Sequence, residues 1–200
     1  STALFPTFTT TSATSDVAIN LVANSNNYTL GYDYSSNALK VVRGTMSSTT
    51  GLIIDSTGAV TMPYQPAFNA MSNAIQSNIG ATNTVVFGLE TFDQNNDFSA
   101  NTFTAPVTGK YLLNTIIRLD NLDSASNYYR LYIKTSNRTY MTIWSMKRMA
   151  GDITYWSMQN TVFADMDAGD TAYVEIHQSA GNAQTDLASA QCYFQGYLVC

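Results

Sequence analysis

The chain has 200 residues, of which 45% are hydrophobic and only 12% are charged, and its net charge is −5. An acidic chain without a basic patch is not expected to bind nucleic acid through phosphate contacts, and its apolar runs are too short for a transmembrane helix. Charged residues are replaced by Ser, Thr, Asn and Gln together with 13 Tyr and 9 Phe. This composition favours β-structure and an extracellular or virion-surface protein over a cytosolic enzyme.

Residues 1–15 are rich in Ser and Thr and show no regular pattern. After them, short alternations of apolar and polar residues predict five strands, at 17–21, 28–34, 38–43, 51–55 and 57–62, with a turn at 24–27. Few apolar positions in this segment could form a closed core. We therefore expect it to be stable only when it packs on copies of itself.

Pro63 and Pro66 interrupt both helices and strand ladders, so we expect a domain boundary here, with domains at 1–65 and 66–200. The second domain shows no helical periodicity of useful length, and its pattern predicts an all-β sandwich. Its predicted strands lie at 67–70, 84–92, 111–119, 128–135, 140–149, 153–163 and 171–178, with polar loops at 120–127, 135–139 and 179–188.

The most informative stretch is 98–119. Pro106 fixes its own φ and biases Ala105 towards an extended conformation, which predicts a corner. Gly109 is expected where the chain turns through a conformation that is costly for residues with a Cβ. The apolar run that begins at Tyr111 predicts a central strand buried on both faces.

Several residues in this stretch and beyond it resemble the signature of the C1q-like domain, a relative of the tumour necrosis factor fold. The resemblance covers residues 66–200 and implies a C1q/TNF-like jelly roll. It also implies a homotrimer in which aromatic faces pack around a three-fold axis. The residues that carry it are Phe98, Phe103, Pro106, Gly109, Tyr111, Gly169, Asp170, Phe194 and Gly196.

The N-terminal segment contains LGYDYSSNALKVV at 30–42 and GLIIDSTGAVTMP at 51–63. These stretches are similar to the β-rich shafts and necks of viral and phage tail fibres, and the segment lacks collagen-like Gly-X-Y repeats. Taken together, the two resemblances imply a non-enzymatic trimeric fibre or spike protein on the virion surface. Its distal domain would attach to a host receptor, either a glycan or a protein, without membrane insertion. The alternative is a secreted cellular C1q-like recognition or signalling ligand.

Residues for catalysis or metal binding are scarce. His177 is the only histidine, and a polar strand face accounts for it. Cys192 and Cys200 are expected to be too far apart along one strand for a disulfide. Glu90 and Glu175 are the only glutamates, which leaves little material for a glycan hydrolase. We expect no enzyme activity and no cofactor. Calcium is an alternative to ordinary solvated acids at two aspartate pairs, Asp120 with Asp123 and Asp165 with Asp167.

We expect binding at loops remote from the junction at 62–68, because loops can vary without disturbing the strands. Their polar side chains suit sugar hydroxyls, and a flanking aromatic residue suits an apolar sugar face. A second candidate is the aromatic region of the 138–158 segment, which could instead be core or subunit interface. The candidate residues are Asn121, Asp123, Asn137, Arg138, Tyr140, Trp144 and Trp156.

Overall fold

The computed structural model describes residues 14–23 and 26–200. The chain divides into two compact units, Ser1–Tyr64 and Gln65–Cys200, which we call the N-terminal unit and the C-terminal unit. Within the described residues every regular element is a β-strand, which confirms the all-β prediction. None of these residues lies in a helix long and apolar enough to span a membrane.

The N-terminal unit contains a five-stranded antiparallel meander in the order β1-β2-β3-β4-β5. The strands are β1 (Val17–Ala23), β2 (Asn26–Asp33), β3 (Ala38–Arg43), β4 (Gly51–Ile54) and β5 (Val60–Thr61). The predicted turn at 24–27 is wrong in its second half, because Asn26 and Asn27 pair with β1 as the start of β2. The structure does not describe residues 24–25 of this turn. It also does not describe residues 1–13, where the sequence shows no regular pattern.

One face of this meander is covered at β2 and β3, and it combines apolar side chains with a buried ion pair. Burial alternates along β3, so that Ala38, Lys40 and Val42 are buried. The Lys40 ammonium donates to Asp33 Oδ2 at 2.5 Å and to the Met46 carbonyl at 3.2 Å. The loop after β3 therefore lies over the face that carries the ion pair.

The C-terminal unit consists of two antiparallel sheets. Sheet I has the order β14-β11-β17-β6-β8, with β16 beside β11, and sheet II has the order β13-β12-β15-β10-β9, with β7 beside β15. Strands that are distant in sequence are neighbours in both sheets, and the jelly-roll prediction is confirmed. The strands are β6 (Ala67–Met71), β7 (Asn83–Thr84), β8 (Leu89–Asp93), β9 (Phe98–Ser99), β10 (Thr102–Thr104), β11 (Gly109–Leu122), β12 (Tyr128–Thr135), β13 (Thr139–Ser145), β14 (Ile153–Met166), β15 (Thr171–Ser179), β16 (Asp186–Leu187) and β17 (Tyr193–Leu198).

A cluster of phenylalanines joins the two sheets. The ring of Phe68 on β6 stacks on Phe103 at 4.7 Å and on Phe98 at 5.1 Å, both from sheet II. Phe194 on β17 meets Phe68 edge-on at 5.0 Å. Pairs of this kind contribute about 0.5–1.5 kcal/mol each beyond area burial. The signature phenylalanines therefore form the centre of the core.

The predicted central strand differs from expectation in two respects. Burial alternates along β11, and Ile116 on its outer face is 37% exposed, so burial on both faces is wrong for a single chain. Gly109 does not adopt a left-handed conformation. A Cβ at Gly109 would instead lie 2.6 Å from the Cys200 carbonyl oxygen, so the residue is small because the C-terminal segment passes close by.

Two predicted strands were too long. The prediction at 84–92 spans a crossing between sheets, because β7 pairs with β15 in sheet II and β8 pairs with β6 in sheet I. Val85 and Phe87 in the crossing are buried, so their apolar character resembles that of a strand. The prediction at 140–149 also extends too far, since β13 ends at Ser145 and buried Met146 begins an exposed turn.

Candidate ligand-binding surface

The strand register places the loops of the C-terminal unit at two opposite ends. At one end, Ala67 pairs with Tyr197, and Leu198 donates to the Pro66 carbonyl, so the chain enters the unit here. The loops at 105–109, 135–139 and 167–170 share this junction end. The loops at 121–127, 146–152 and 180–185 lie at the other end, which we call the loop end.

A surface pocket of about 360 Å³ lies at the loop end. Asn121 contributes to it from an irregularity in β11, where its φ is +55° and Leu122 resumes pairing with Ile153. Asn tolerates this left-handed conformation better than most residues with a side chain. The residues that line the pocket are Asn121, Asp152, Ile153, Thr154 and Gln184.

Asp152 provides the charge of this pocket. Its Oδ1 accepts hydrogen bonds from the Ser124 backbone N–H at 2.8 Å and from the Ser124 hydroxyl at 2.7 Å. Its Oδ2 accepts one from the Gln184 amide at 2.9 Å. These donors, with the Ser124 backbone first, lower the pKa of the Asp152 carboxyl to about 2. The carboxylate is therefore ionised at neutral pH and held in a fixed orientation at the surface.

Asp123 is buried, although its position in a polar loop suggests an accessible side chain. It is 3% exposed, and its carboxylate accepts from the backbone N–H groups of Ala125, at 2.7 Å, and Asn182. Its own N–H donates to the hydroxyl of buried Tyr129 at 3.0 Å. The Asp123 side chain fixes two loops to each other and is not available to an external ligand, so we leave it out of the candidate surface.

Trp144 and Trp156 lie together where β13 and β14 bring the edges of the two sheets into contact. Their rings are stacked, with centroids 4.4 Å apart and planes inclined by 5°. Trp144 and Tyr140 pack against the core, whereas Trp156 is 43% exposed. One face of each ring packs against the other ring. Of the two tryptophans, Trp156 offers the accessible ring surface.

Asn137 and Arg138 lie at the junction end, opposite the other loop candidates. They form the turn between β12 and β13, where Thr135 pairs with Ala172 at the start of β15. The Asn137 amide donates to Asp170 Oδ2 at 2.5 Å. This loop is therefore not remote from Pro66, so Asn137 and Arg138 do not lie on a loop remote from the junction, as was expected of the candidate residues.

Three of the four aspartates considered for calcium, Asp120, Asp123 and Asp165, have side-chain partners within the chain. Asp120 accepts from Arg118 at 2.7 Å, and Asp165 accepts from Lys110 at 2.5 Å. Among residues 14–23 and 26–200, no three His, Cys, Asp or Glu side chains come together in a way that could hold a metal ion. We make no proposal for calcium.

His177 lies on the outer face of sheet II. Its Nδ1 is 3.2 Å from the Thr82 hydroxyl, and its ring centroid is 6.0 Å from that of Tyr128. Both cysteines are free, Cys192 buried and Cys200 exposed. Burial is the main reason that the pKa of the Cys192 thiol is raised, which disfavours the reactive thiolate.

Sequence reasoning missed four residues of the pocket: Asp152, Ile153, Thr154 and Gln184. The loop at 146–152 was partly hidden by the overlong strand prediction at 140–149. Gly151-Asp152, a common turn pair before the next strand, was the available local signal. Gln184 was inside a named loop, but its contact with Asp152 joins positions 32 residues apart and leaves no local pattern.

Comparison with known proteins agrees with this architecture. The globular domain of zebrafish complement 1qA superposes with a TM-score of 0.51 at 16% identity, covering 68% of this chain and 98% of that one. Murine APRIL superposes with a TM-score of 0.50 at 14% identity, covering 68% and 99% respectively. At such identities the likeness concerns the fold. No curated protein matches the sequence significantly.

The match to a family model identifies the family. C1q and tumour necrosis factor domains are typically non-enzymatic ligand domains and usually form homotrimers. Proteins with C1q domains are commonly extracellular or secreted. The model of the C1q domain matches residues 67–199, about two thirds of the sequence, and the chain therefore belongs to the C1q domain family.

Proposed function

We propose that this chain is a homotrimeric, non-enzymatic fibre or spike protein of a virus or phage. Its C-terminal unit would attach to a glycan on the host cell surface. The observation that supports this best is the pocket at the loop end, where Asp152, Thr154 and Gln184 surround a space of about 360 Å³. The pocket lies at the end opposite Pro66, where the chain enters the unit.

The chemistry of the pocket suits sugar hydroxyls. The ionised Asp152 carboxylate can accept hydrogen bonds, and the amides of Asn121 and Gln184 offer both donors and acceptors. Thr154 and Trp156 point to the same side of β14, about 7 Å apart along the strand. The exposed ring of Trp156 can therefore cover the apolar face of a sugar that reaches the pocket.

The homotrimer is supported by the outer face of sheet I. Phe163 is 65% exposed there, Phe92 51% and Tyr197 48%. Phe92, Tyr197 and Leu112 also line a groove of about 390 Å³. An exposed apolar face of this kind marks an association surface, and the family usually trimerises. Three linked copies would raise weak single-site affinity through effective concentration.

The fibre setting is supported by the N-terminal unit, a meander of short strands joined by tight turns and without Gly-X-Y repeats. A secreted cellular ligand is the alternative, since C1q domain proteins are commonly extracellular. An antibody raised against the chain distinguishes the two settings. Labelling of purified particles supports the fibre, and detection only in the medium of uninfected cells supports the secreted ligand.

The binding test compares two pairs of substitutions at opposite ends of the unit. Asp152→Asn with Thr154→Ala alters the pocket, and Asn137→Ala with Arg138→Ala alters the junction end. We expect the pocket pair to weaken binding to a glycan array and to host cells at least about tenfold, because a lost hydrogen bond to a charged group is worth about 1.5–3 kcal/mol. The junction pair should bind like the wild type.

Melting temperature and trimer mass verify that both pairs fold. Undiminished binding by a folded pocket pair would contradict the proposed site. Loss of binding in the junction pair alone would move the site to the other end, and loss only on Trp156→Ala would restrict it to the stacked tryptophans.

A further inference from the structure

The N-terminal unit leaves one apolar face of its sheet uncovered. The face that carries Lys40 and Asp33 is covered at β2 and β3, where these side chains are only 5% and 3% exposed and lie on the same face as buried Ala38 and Val42. The opposite face is exposed and consists almost entirely of apolar side chains. Folding of a single chain normally buries apolar side chains. In this unit a single chain leaves an apolar sheet face in contact with water.

The register makes the apolar face continuous. In one row, Ile19 pairs with Leu30, Leu30 with Val41, and Val41 with Leu52. In the next row, Tyr32 pairs with Leu39 and Leu39 with Ile54. Residues that pair directly across strands project from the same face. Ile19, Leu30, Tyr32, Leu39 and Val41 are between 39% and 45% exposed.

The charge on this face restricts what can cover it. Within the described strands, Arg43 is the single charged side chain that projects on this side, at a corner where it pairs with Tyr28 and donates to Asn26. A neutral apolar face offers nothing to a nucleic acid or to an acidic surface. It is, however, compatible with an identical face, since no like charges meet at its centre.

We propose that this face is covered by the same face of further copies of the chain. The proposal rests on the homotrimer inferred above. Adjacent strands are ~4.8 Å apart, so the face is about 20 Å wide and, over five residues, about 14 Å long, roughly 300 Å². This is well below the roughly 800 Å² per partner of a standard interface, so the face is too small to hold copies together alone.

The short connection to the C-terminal unit compensates for the small area of the apolar face. Between the end of β5 at Thr61 and the start of β6 at Ala67 there are five residues, which reach about 20 Å at most. In a trimer of C-terminal units, the N-terminal units are therefore confined near one another at an effective concentration of order millimolar. The small apolar faces then associate, and they separate when the C-terminal units separate.

The test measures access to the centre of the face in the full chain. Val41→Cys and, as a matched control in the exposed β4–β5 turn, Thr57→Cys are each made with Cys200→Ser, which leaves only buried Cys192. The rate of maleimide labelling is measured together with mass by light scattering. We expect Cys at position 41 to react about tenfold more slowly than at 57, as when a face is open about one tenth of the time. Phe163→Glu, made to separate the C-terminal units, should equalise the two rates.

Each of the other outcomes contradicts this inference, and one of them also contradicts the proposed trimer. Equal rates in a chain of trimeric mass would overturn this inference and leave the proposed trimer intact. Slow labelling at position 41 that persists in monomeric Phe163→Glu would show that the chain covers the face itself, which also overturns it. A monomeric wild type would overturn the proposed trimer and this inference together.

Discussion

Tyr111 lies at the point where the two sheets of the C-terminal unit are held together. Its side chain is fully buried, its ring centroid is 5.4 Å from that of Phe103, and its hydroxyl donates to the Val107 carbonyl at 2.7 Å. Tyr111→Ala should lower the free energy of unfolding by about 3–5 kcal/mol through the cavity it leaves. Urea unfolding of the C-terminal unit measures this, and a change below 1 kcal/mol, the size of a surface substitution, would contradict it.

Tyr111→Phe separates the hydroxyl from the ring. It keeps the packing and removes the donor, so the Val107 carbonyl loses a partner, which costs about 1–3 kcal/mol. The order Tyr, Phe, Ala in decreasing stability is therefore expected.

The Asp33–Lys40 pair is the corresponding point in the N-terminal unit. Lys40→Met leaves a buried carboxylate without its partner and should destabilise the unit by about 3–5 kcal/mol. Lys110→Met is the matched control, because the Lys110–Asp165 pair is 52% and 74% exposed, and surface pairs contribute about 0–1 kcal/mol. Hydrogen exchange of β2 and β3 reports the difference. Equal effects of the two substitutions on stability would show that burial does not strengthen the Asp33–Lys40 pair.

The same pair predicts a pH dependence. The Lys40 ammonium, followed by the Ser35 hydroxyl, lowers the pKa of Asp33 well below its usual value of 3.8. Its contribution to stability is therefore complete above pH 4 and is lost as the pH falls below that, because the unfolded chain takes up the proton first. The protection factors of β2 and β3, which correct for the pH dependence of the intrinsic exchange rate, should fall between pH 4 and 2 in the wild type. Lys40→Met should show a weaker pH dependence.

At the scale of elements, the outer face of sheet I combines exposed aromatic side chains with a row of amides. The Asn69 amide donates to Gln195 at 2.7 Å, Gln195 to Asn114 at 3.1 Å, and Asn114 to the Thr161 hydroxyl at 2.6 Å. These groups pair with one another across four strands, so loss of water from the face leaves fewer polar atoms unpaired than separate side chains would. The face is thus suited to burial between subunits.

Phe163→Glu tests this role of sheet I. An unpaired carboxylate in a desolvated contact costs several kcal/mol, so the concentration for half dissociation should rise at least about a hundredfold. Ile143→Glu is the matched control, since Ile143 is 48% exposed on the outer face of sheet II. Sedimentation over a concentration series measures both. Dissociation of the Ile143 variant, with an intact Phe163 variant, would assign the contact to sheet II.

The whole molecule should behave as a trimer whose mass does not depend on salt. Light scattering at micromolar concentration is expected to give three times 21.8 kDa. The exposed residues of the proposed contact are aromatic and aliphatic, so raising sodium chloride from 0.1 M to 1 M, which shortens the screening length from about 10 Å to 3 Å, should leave the mass unchanged. A stable monomer, or a trimer that dissociates in salt, would contradict the apolar contact.

The local pattern was enough to predict several strands, and the signature residues were enough to indicate the family. Alternation is a local property, so the strands β3, β12 and β15 lie where the pattern predicts them, within one residue. The resemblance of the signature from Phe98 to Gly196 to the C1q-like domain implied the jelly roll, and its phenylalanines lie in the core. Even the apolar outer positions of β11, such as Leu112 and Ile116, were visible as a run without alternation. Within a single chain, every second residue of that run lies on the outer face of sheet I and is partly exposed.

Only the tertiary structure decided which residues meet. Asp123 is buried because it accepts from Asn182, 59 positions away, and Asp152 forms a pocket with Gln184 because two loops end beside each other. Asn137 was separated from Asn121 by the direction of β12 and β13. Such neighbours are set by strand order and register across the sheets, and these depend on contacts between distant segments that no local period records.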